Sequence, residues 1–329
     1  MIVVTGATGL VGNALLHALA DRGMGPVRVL VRPGRDLSCL AGFDVEVVRG
    51  DTRDLDSLKA AFAGADAVFH LAGLITITKE KLERLREVNV EGTRNVIAAC
   101  RAAGVRRLVH CSSIHAFIEP PFGTCTDEST PIDPERTIGN YGKSKAEATL
   151  LVKAAAGEGL DAVIVYPSGI IGPYDHRPSE TGEFIVDACR GKIPATVDGR
   201  YNFVDSRDVA AGLVGAFERG RNGEGYLLTG SEISVPELFD ILEQLSGTPK
   251  PRVHLPIGLV RAVAPLIPLY YKVVKQRPLF TTYSLHVISS NCEMSYQKAA
   301  EELGYSPRPL RQTLEDTVGW FKEQGMLTR

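Results

Sequence analysis

The sequence begins with the stretch that decides its fold, Ile2-Val3-Val4-Thr5-Gly6-Ala7-Thr8-Gly9-Leu10-Val11-Gly12. Its first four residues have the composition of a buried strand, and the apolar residues after the glycines repeat with the period of a helix. Gly6 permits a tight turn, Gly9 lets the backbone approach a phosphate, and Gly12 lets the helix pack close to the strand. The helix N-terminus adds N–H groups and the positive end of a dipole. The residues expected to bind a dinucleotide here are Gly6, Thr8, Gly9, Leu10, Val11 and Gly12.

Strands and helices alternate through the first half of the chain, which is the pattern of a parallel sheet covered by helices on both faces. The later predicted strands are residues 27–31, 44–48, 67–71, 107–111 and 162–166, and the longest helices are 79–103 and 142–156. Prolines and glycines interrupt the pattern after residue 167, and helices are predicted again at 206–219, 235–245 and 310–324. We therefore expect a doubly wound, Rossmann-type α/β domain at residues 1–168. A smaller, mostly helical substrate-binding domain is expected at 169–329, with part of 203–230 returning to the first sheet.

Composition excludes several classes of protein. The 329 residues are 44% hydrophobic and 23% charged, which is typical of a globular chain and excludes a disordered one. The 37 basic and 39 acidic side chains give a net charge of −2, so no nucleic-acid partner is expected. The six cysteines are widely spaced, which predicts reduced core thiols, no metal site and a cytoplasmic location.

No leader or membrane span is expected. The first strand starts at Ile2, which leaves no room for a signal peptide. The most apolar late stretch, residues 255–271, is interrupted by Arg261 and by three prolines. A buried helix or a lid over the substrate is the favoured interpretation of this stretch, and peripheral membrane contact is the alternative.

The end of the second predicted strand bears on which nicotinamide cofactor binds. NAD-binding proteins place an acidic residue there, about 20 positions past the glycines, to bind the ribose 2′-hydroxyl. Here Arg32 holds that place, followed by Arg35, and the first acid is Asp36. A guanidinium suits a 2′-phosphate, so NADP is the expected cofactor and NAD the alternative. The competing interpretation is that Arg32 is a solvated surface residue.

Two polar residues, Asp51 and Thr52, follow the third predicted strand. They stand at the carboxyl end of that strand, the edge of the sheet at which a nucleotide is expected. Asp51 is expected either to accept a hydrogen bond from the adenine amino group or to cap the next helix.

A tyrosine and a lysine lie one helical turn apart at residues 141 and 145. Their i, i+4 spacing places Tyr141 and Lys145 on one face of a helix. An ammonium group beside a phenol favours the phenolate and lowers the pKa of the tyrosine, so the pair can exchange a proton with an alcohol or a carbonyl. Ser112-Ser113 ends the fifth strand, at the sheet edge where ligands bind. A hydroxyl there can hydrogen-bond the same substrate oxygen.

Together these motifs resemble the extended short-chain dehydrogenase/reductases of the NAD-dependent epimerase/dehydratase superfamily, over nearly the whole chain. The resemblance rests on the glycine-rich turn, the serine pair and the tyrosine–lysine pair. It also rests on four further motifs, His70-Leu71-Ala72-Gly73, Asn89-Val90-Glu91-Gly92-Thr93, Tyr166-Pro167-Ser168-Gly169-Ile170-Ile171-Gly172-Pro173 and Phe203-Val204-Asp205-Ser206-Arg207-Asp208-Val209-Ala210.

The resemblance implies a role for each residue of the catalytic group. Tyr141 is expected to be the general acid/base, Lys145 to bind the nicotinamide ribose and tune Tyr141, and Ser113 to polarise the substrate oxygen. Asn89 is expected to support the active-site region, with a purely structural role as the alternative. Asp208 is expected to cap or orient a segment.

The resemblance also implies further contacts with the cofactor. The dinucleotide is expected to run beside Leu71, Ala72 and Gly73. The nicotinamide is expected to lie near Tyr166, Pro167, Ser168 and Gly169. It further implies a homodimer in which the helices at 79–103 and 142–156 pair with their copies in a four-helix bundle.

Within this family the chain looks most like dihydroflavonol reductases and 3β-hydroxysteroid dehydrogenases, as Arg32 and the segment 299–308 indicate. Nucleotide-sugar epimerases often carry an asparagine near Ser168 and an arginine at the position of Tyr201, although Arg200 is only one place away. The leading hypothesis is an NADP-dependent oxidoreductase acting on a ketone, aldehyde or secondary alcohol of a largely apolar small molecule. A nucleotide-sugar epimerase or dehydratase is the second hypothesis, and a non-catalytic cofactor-binding scaffold is the third.

Apolar residues at two places are expected to line the substrate pocket. Residues 75–77 follow the fourth strand, and Phe117 follows the serine pair. A place in the ordinary core is the alternative for both.

Overall fold

The computed structural model describes residues 1–75, 81–263 and 282–327. The strands are β1 Ile2–Thr5, β2 Val27–Val31, β3 Val45–Arg49, β4 Ala67–His70, β5 Arg107–Cys111, β6 Ala162–Pro167, β7 Gly169–Ile171, β8 Ala195–Val197, β9 Arg200–Asp205, β10 Gly225–Leu228, β11 Ser231–Ser234 and β12 Val253–Leu255. The helices are α1 Leu10–Asp21, α2 Leu55–Phe62, α3 Leu82–Leu85, α4 Gly92–Ala103, α5 Gly139–Gly157, α6 Glu180–Cys189, α7 Ser206–Arg219, α8 Val235–Ser246, α9 Ile257–Val263, α10 Thr282–Val287, α11 Gln297–Leu303 and α12 Leu310–Glu323.

The central sheet has seven parallel strands in the order β10-β6-β5-β4-β1-β2-β3. The strand order reverses between β1 and β4, whose pairing sets Thr5 opposite His70. Ligands of such sheets bind outside the carboxyl ends of the strands at this switch point. The structure confirms the Rossmann-type, doubly wound fold that the alternating pattern predicts.

Helices cover both faces of this sheet. On one face, α1 and α7 bury Leu15 and Leu213 in a layer that includes Val29 of β2. On the other face, α2 and α4 bury Leu58 in a layer that includes Leu30, the next residue of the same strand. Because successive strand residues point to opposite faces and both faces are buried, the strands read as unbroken apolar runs.

Beyond β6 the chain builds two small sheets that the sequence did not indicate. β7, β9 and β11 pair in the order β11-β9-β7, and β8 pairs with β12. β10 leaves this region and pairs with β6 in the central sheet, with Tyr226 opposite Val165. α11 also packs with the first half, because Ala299 and Leu303 belong to the layer of α1 and α7.

The helix predicted at residues 79–103 is built from consecutive helical pieces from Leu82 onward. Residues 79 and 80 lie outside the described ranges. α3 continues into a π-helical stretch, Arg86–Glu91, and then into α4. π-Helical turns are rare and occur frequently at functional sites. This one contains Asn89, whose side chain hydrogen-bonds to Leu74 and Ser144.

Asp208 holds the C-terminal segment in place. Its carboxylate accepts a hydrogen bond from the backbone N–H of Arg308 at 2.8 Å and two from the Arg308 guanidinium at 2.9 and 2.7 Å. The neighbouring Asp205 caps α7 by accepting from the Arg207 N–H. The predicted orienting role of Asp208 agrees with these contacts.

The cysteines only partly match the prediction of core thiols. Cys125 is exposed and Cys111 is half-buried, and the buried ones are Cys39, Cys100, Cys189 and Cys292. Within the described ranges, no set of His, Cys, Asp and Glu side chains is arranged to hold a metal ion. The same ranges contain no helix with the length and apolar character needed to span a membrane.

Candidate active site

Close backbone contacts shape the glycine-rich turn. Gly6 has φ of +78°, and a Cβ there would lie 2.7 Å from the backbone nitrogen of Ala72. A Cβ on Gly12 would collide with the backbone of Gly6 and Ala7. A Cβ on Gly9 would meet only the Gly6 oxygen among the described atoms, at 3.4 Å. The space in front of Gly9 is therefore open to a ligand.

α1 begins at this turn without a side-chain cap. Gly9 is its N-cap residue, and Thr8 and Leu10 on either side are only half-buried. The N–H groups of a first helical turn have no partner within the helix, and the dipole favours an anion beside them. The turn therefore offers a site for the pyrophosphate of a dinucleotide.

Two arginines follow β2 at the same end of the sheet. Arg32 is exposed and Arg35 is half-buried. Arg49 fixes the loop between them, because its Nη1 donates to the backbone oxygen of Arg32 at 3.0 Å and to that of Arg35 at 3.1 Å. Arg35 lines a cavity together with Thr8 of the glycine-rich turn. A nucleotide held by the turn would therefore lie within reach of this loop.

Asp51 and Thr52 lie where β3 ends. The Asp51 carboxylate accepts from the Arg53 backbone N–H at 3.0 Å and from its guanidinium at 3.0 and 2.9 Å, and these bonds lower the pKa of Asp51. The cap of α2 is Asp54, which accepts from two N–H groups of the first turn. The alternative in which Asp51 caps the helix is therefore wrong, and its contact with adenine stays a prediction.

Asn89 fixes the segment after β4, residues 71–73. Its side-chain oxygen accepts from the Leu74 N–H at 2.7 Å, and its amide donates to the Leu74 oxygen at 3.0 Å. The amide also donates to the Ser144 hydroxyl on α5 at 3.0 Å. Asn89 thus ties the expected cofactor-side segment to the helix that carries the candidate catalytic tyrosine.

α5, which carries Tyr141, packs on the turn that Ser113 begins after β5, and both residues are buried. Ser113 begins a 3₁₀ turn, Ile114–Ala116, and its hydroxyl accepts from the His115 N–H at 3.2 Å. α5 passes close over this turn because Gly142 has no side chain: a Cβ there would lie 2.6 Å from the His115 carbonyl oxygen. The ring of Tyr141 lies 6.0 Å from that of His115.

Lys145 lies one turn beyond Tyr141 and is buried. Its Nζ donates to the carbonyl oxygen of Cys111 at 2.7 Å. No carboxylate in the described part of the chain pairs with it, and burial lowers the pKa of its ammonium group. Because an ammonium group has three donors, Lys145 can donate two further hydrogen bonds.

The segment from Tyr166 to Gly169 can contact a cofactor through its backbone and Ser168, but not through the Tyr166 ring. The Tyr166 ring is 1% exposed and packs 4.6 Å from the Phe117 ring inside the core. The cofactor contact predicted for Tyr166 is therefore limited to its backbone. The Ser168 hydroxyl is buried and has no hydrogen-bond partner among the residues described. Such a group is costly unless a ligand or a water completes it.

A largely apolar pocket adjoins the 3₁₀ turn. It spans about 630 Å³ including its opening to solvent, and its apolar wall is formed by Ile114, Phe117, Ile118, Ile138, Val287 and Met294. Phe117 lines this pocket and is also buried in the core, so both interpretations of it agree with the structure and its contact with substrate stays a prediction, whereas Ile75 is 65% exposed. Residues 76 and 77 lie outside the described ranges.

The late apolar stretch at 255–271 is described only as far as residue 263. Its helix α9 buries Val260 against Val197 and Leu285, in a small cluster of its own. Leu259 beside it is 54% exposed, so this part of the stretch is only partly packed in the protein. Residues 264–271 fall outside the description.

His115 is a polar residue of the pocket wall, and its ring lies 6.0 Å from that of Tyr141. Its Nε2 lies 3.2 Å from the Tyr201 hydroxyl, and His286 opposite pairs with Glu119 at 2.7 Å. Burial and the neighbouring His286 lower the pKa of His115 to about 4. His115 is therefore neutral near pH 7, and it lacks the imidazolium proton that a histidine acting as general acid would give up.

Comparison with known proteins agrees with this geometry. A profile of the NAD dependent epimerase/dehydratase family matches residues 2–228. The chain belongs to this family. A relative from Methylococcus capsulatus, sterol demethylase protein B, is 37% identical over 99% of both chains. A second from Arabidopsis thaliana, 3β-hydroxysteroid-dehydrogenase/decarboxylase isoform 1, is 30% identical over 97% of this chain and 79% of that one.

One similar protein has been solved with a cofactor bound. The dTDP-glucose 4,6-dehydratase of Streptomyces venezuelae, solved with NAD bound, is 25% identical and has a TM-score of 0.79 over 98% of this chain and 97% of that one. The predicted membership of the extended short-chain dehydrogenase/reductases is confirmed, and the chain is an enzyme of the NAD(P)-dependent kind.

The residues present fit the NAD(P) that members of the epimerase/dehydratase family bind. The open face of Gly9 and the uncapped start of α1 suit a pyrophosphate. The two spare donors of Lys145 suit ribose hydroxyls, and the unpartnered Ser168 hydroxyl suits a polar group at the nicotinamide end.

Proposed function

We propose that the chain is an NADP-dependent oxidoreductase that interconverts a ketone or aldehyde with the corresponding alcohol on a largely apolar substrate. The observation that carries the proposal is that α5, which carries Tyr141 and Lys145 one turn apart, packs on the 3₁₀ turn that Ser113 begins, and that this turn lines a pocket with a mainly apolar wall. The names of the two curated relatives refer to sterols and hydroxysteroids, which makes sterols the first substrate class to test.

The chain's own residues divide the chemistry among them. Tyr141 gives its proton to the substrate oxygen in the reductive direction and takes one back in the oxidative direction. Lys145 stabilises the phenolate left on Tyr141 and binds the nicotinamide ribose. Ser113 donates to the same substrate oxygen and stabilises the negative charge that develops there. When bound, the nicotinamide supplies or accepts the hydride.

The position of two neighbouring residues favours this proposal over a nucleotide-sugar epimerase. Tyr201 lines the pocket and contacts His115. Arg200 pairs instead with Glu232 and its side chain is 57% exposed. None of the described residues that line the pocket is a lysine or an arginine. Among the described residues, a sugar-nucleotide diphosphate would therefore find no arginine or lysine in the pocket wall.

The test compares the amount of NADPH oxidised with the amount of product formed. The purified protein is incubated with NADPH and a panel of sterol ketones, other apolar ketones and nucleotide sugars, and NADPH absorbance is followed together with product formation. We expect one NADPH oxidised per ketone reduced, with Tyr141→Phe protein as the blank. Conversion of a nucleotide sugar without net loss of NADPH would support the epimerase instead, and binding without turnover of any compound would support a scaffold.

Cofactor preference gives a separate prediction. NADPH should bind more tightly than NADH, and Arg32→Asp should lower NADPH affinity by roughly 10- to 100-fold, because a charge-assisted hydrogen bond is lost and a carboxylate repels the 2′-phosphate. Calorimetric titration of both cofactors measures the ratio. Arg311→Asp, which changes an exposed arginine paired with Glu315 on α12, is the matched control. A wild-type protein that binds NADH as tightly as NADPH contradicts the preference.

We further propose a homodimer, on the strength of the family resemblance and of the outward face of α5. That face exposes Leu150, at 40%, and Ala154. Pairing with a second copy would bury both residues in an isologous interface. Light scattering at micromolar concentration should give twice the chain mass of 35.5 kDa. Leu150→Glu should shift the mass toward the monomer, and a monomer mass for the wild type contradicts the proposal.

A further inference from the structure

A second cavity lies beside the glycine-rich turn, where two distant parts of the chain meet. It spans about 290 Å³ including its opening. The first half contributes Thr8, Arg35 and Asp36, and the loop between β7 and α6 contributes His176 and Arg177. The cavity therefore joins the expected nucleotide site to the part of the chain that follows the central sheet.

Positive charge is in excess around this cavity. The Arg177 guanidinium lies 3.3 Å from the Asp36 carboxylate, which also accepts from the Ser38 N–H and hydroxyl at 3.0 and 2.7 Å. The half-buried Arg35 guanidinium has no acceptor among the residues that the structure describes. Burial, Arg177 and Arg32 lower the pKa of Arg35, in that order. The guanidinium groups of Arg35 and Arg177 thus line the cavity with one carboxylate, and an anion there would offset the excess positive charge.

Aromatic contacts on both sides anchor the loop that carries Arg177. The Tyr174 ring stacks on His17 of α1, with the ring centres 4.0 Å apart and the planes at 22°. The His176 ring meets Trp320 of α12 edge-on at 5.0 Å. Arg177 is therefore presented at the cavity by a packed loop, although its own side chain is 48% exposed.

We propose that Arg177 is a cofactor-selecting residue whose guanidinium leaves Asp36 and, with Arg35, binds the 2′-phosphate of the dinucleotide. This inference rests on the proposed NADP preference and adds a contact from the loop after β7, outside the β1–β3 region. A phosphate monoester carries about −1.5 to −2 charges and accepts paired hydrogen bonds from a guanidinium fork. The 2′-hydroxyl of NAD carries no charge, so with NAD the Arg177 side chain stays with Asp36.

The test is a set of calorimetric titrations of wild type, Arg177→Gln, Arg177→Lys and Arg311→Gln. Arg311 is the matched control, because it is an arginine of similar exposure, 55%, in an ion pair with Glu315 away from the cavity. The ligands are NADPH and NADH, and also 2′,5′-ADP and ADP, which lack the nicotinamide and so report on this end of the site alone.

Arg177→Gln should weaken NADPH and 2′,5′-ADP by about tenfold while changing NADH and ADP by less than about twofold, because one charge-assisted contact is lost. Arg177→Lys should retain part of the affinity, and Arg311→Gln should behave as wild type. Equal weakening of all four ligands, or no weakening of NADPH, would overturn the inference. If Arg32→Asp still removes an NADPH preference while Arg177→Gln does not, only this inference fails. If the wild type shows no NADPH preference, the proposed cofactor fails first.

Discussion

Replacing Tyr141 with phenylalanine should lower turnover by at least about 10²–10⁴-fold, the usual contribution of general acid–base catalysis. NADPH affinity and thermal stability should stay close to wild type, because the change removes one hydroxyl from a ring that stays packed beside the 3₁₀ turn. Single-turnover oxidation of bound NADPH, with a substrate from the ketone panel, measures the chemical step directly.

The serine pair supplies the matched comparison for this variant. The Ser112 hydroxyl lies 2.6 Å from the Thr149 hydroxyl on α5, so it is already bonded inside the protein. Ser112→Ala should therefore leave the chemical step nearly unchanged. Ser113→Ala should slow the chemical step, by less than Tyr141→Phe does. A folded Tyr141→Phe protein with near-wild-type rates would eliminate the mechanism. His115 would then be the next acid to test, despite its lowered pKa.

Lys145→Met should have the second largest effect and should damage two functions at once. Turnover should fall by about 10²-fold or more because the phenolate of Tyr141 loses its stabilising charge. NADPH affinity should also fall, by about tenfold, because the ribose loses a charged donor. The combination of a lower kcat and a weaker calorimetric Kd separates Lys145 from Tyr141, whose variant changes kcat alone.

Stability provides the control for Lys145→Met. Burial lowers the pKa of Lys145 below its ordinary 10.5, so the folded protein binds this proton less tightly than the unfolded chain does. The buried charge therefore costs stability at pH 7, and the cost declines as the pH rises through the lowered pKa. Lys145→Met should melt at the same temperature as wild type or higher at pH 7. Lys143→Met, two residues earlier on α5, should retain activity. A strongly lowered melting temperature in Lys145→Met would mean that its loss of activity reflects unfolding.

The features that the sequence predicts well are local ones. The strand, turn and helix of residues 2–21 follow from periodicity and from three glycines whose steric reasons lie within the same stretch. The helix predicted at 206–219 is α7 itself. Tyr141 and Lys145 share a face because a helix repeats every 3.6 residues, so their spacing alone was informative.

The features that escaped prediction are contacts between distant segments. Nothing near Gly142 shows that the His115 carbonyl will lie against it, and nothing near Asn89 shows that Leu74 and Ser144 will be its partners. The strands β7, β8 and β12 have three residues each, too few for a period-2 pattern to emerge. Arg177 was overlooked because its loop reaches the nucleotide end only through tertiary packing.

The pairing of β10 with β6 has a consequence for how this protein is synthesised. β6 is complete at residue 167, but its outer neighbour is not made until residue 228, after β7, β8, β9 and α7 have been synthesised. α7, whose Leu213 joins Leu15 of α1 in one layer, is equally late. During that interval the nascent sheet has an open edge and one partly uncovered face, the features that invite wrong pairing with another chain. The nucleotide-binding half therefore completes its sheet and one of its helical layers only with sequence that is translated after it.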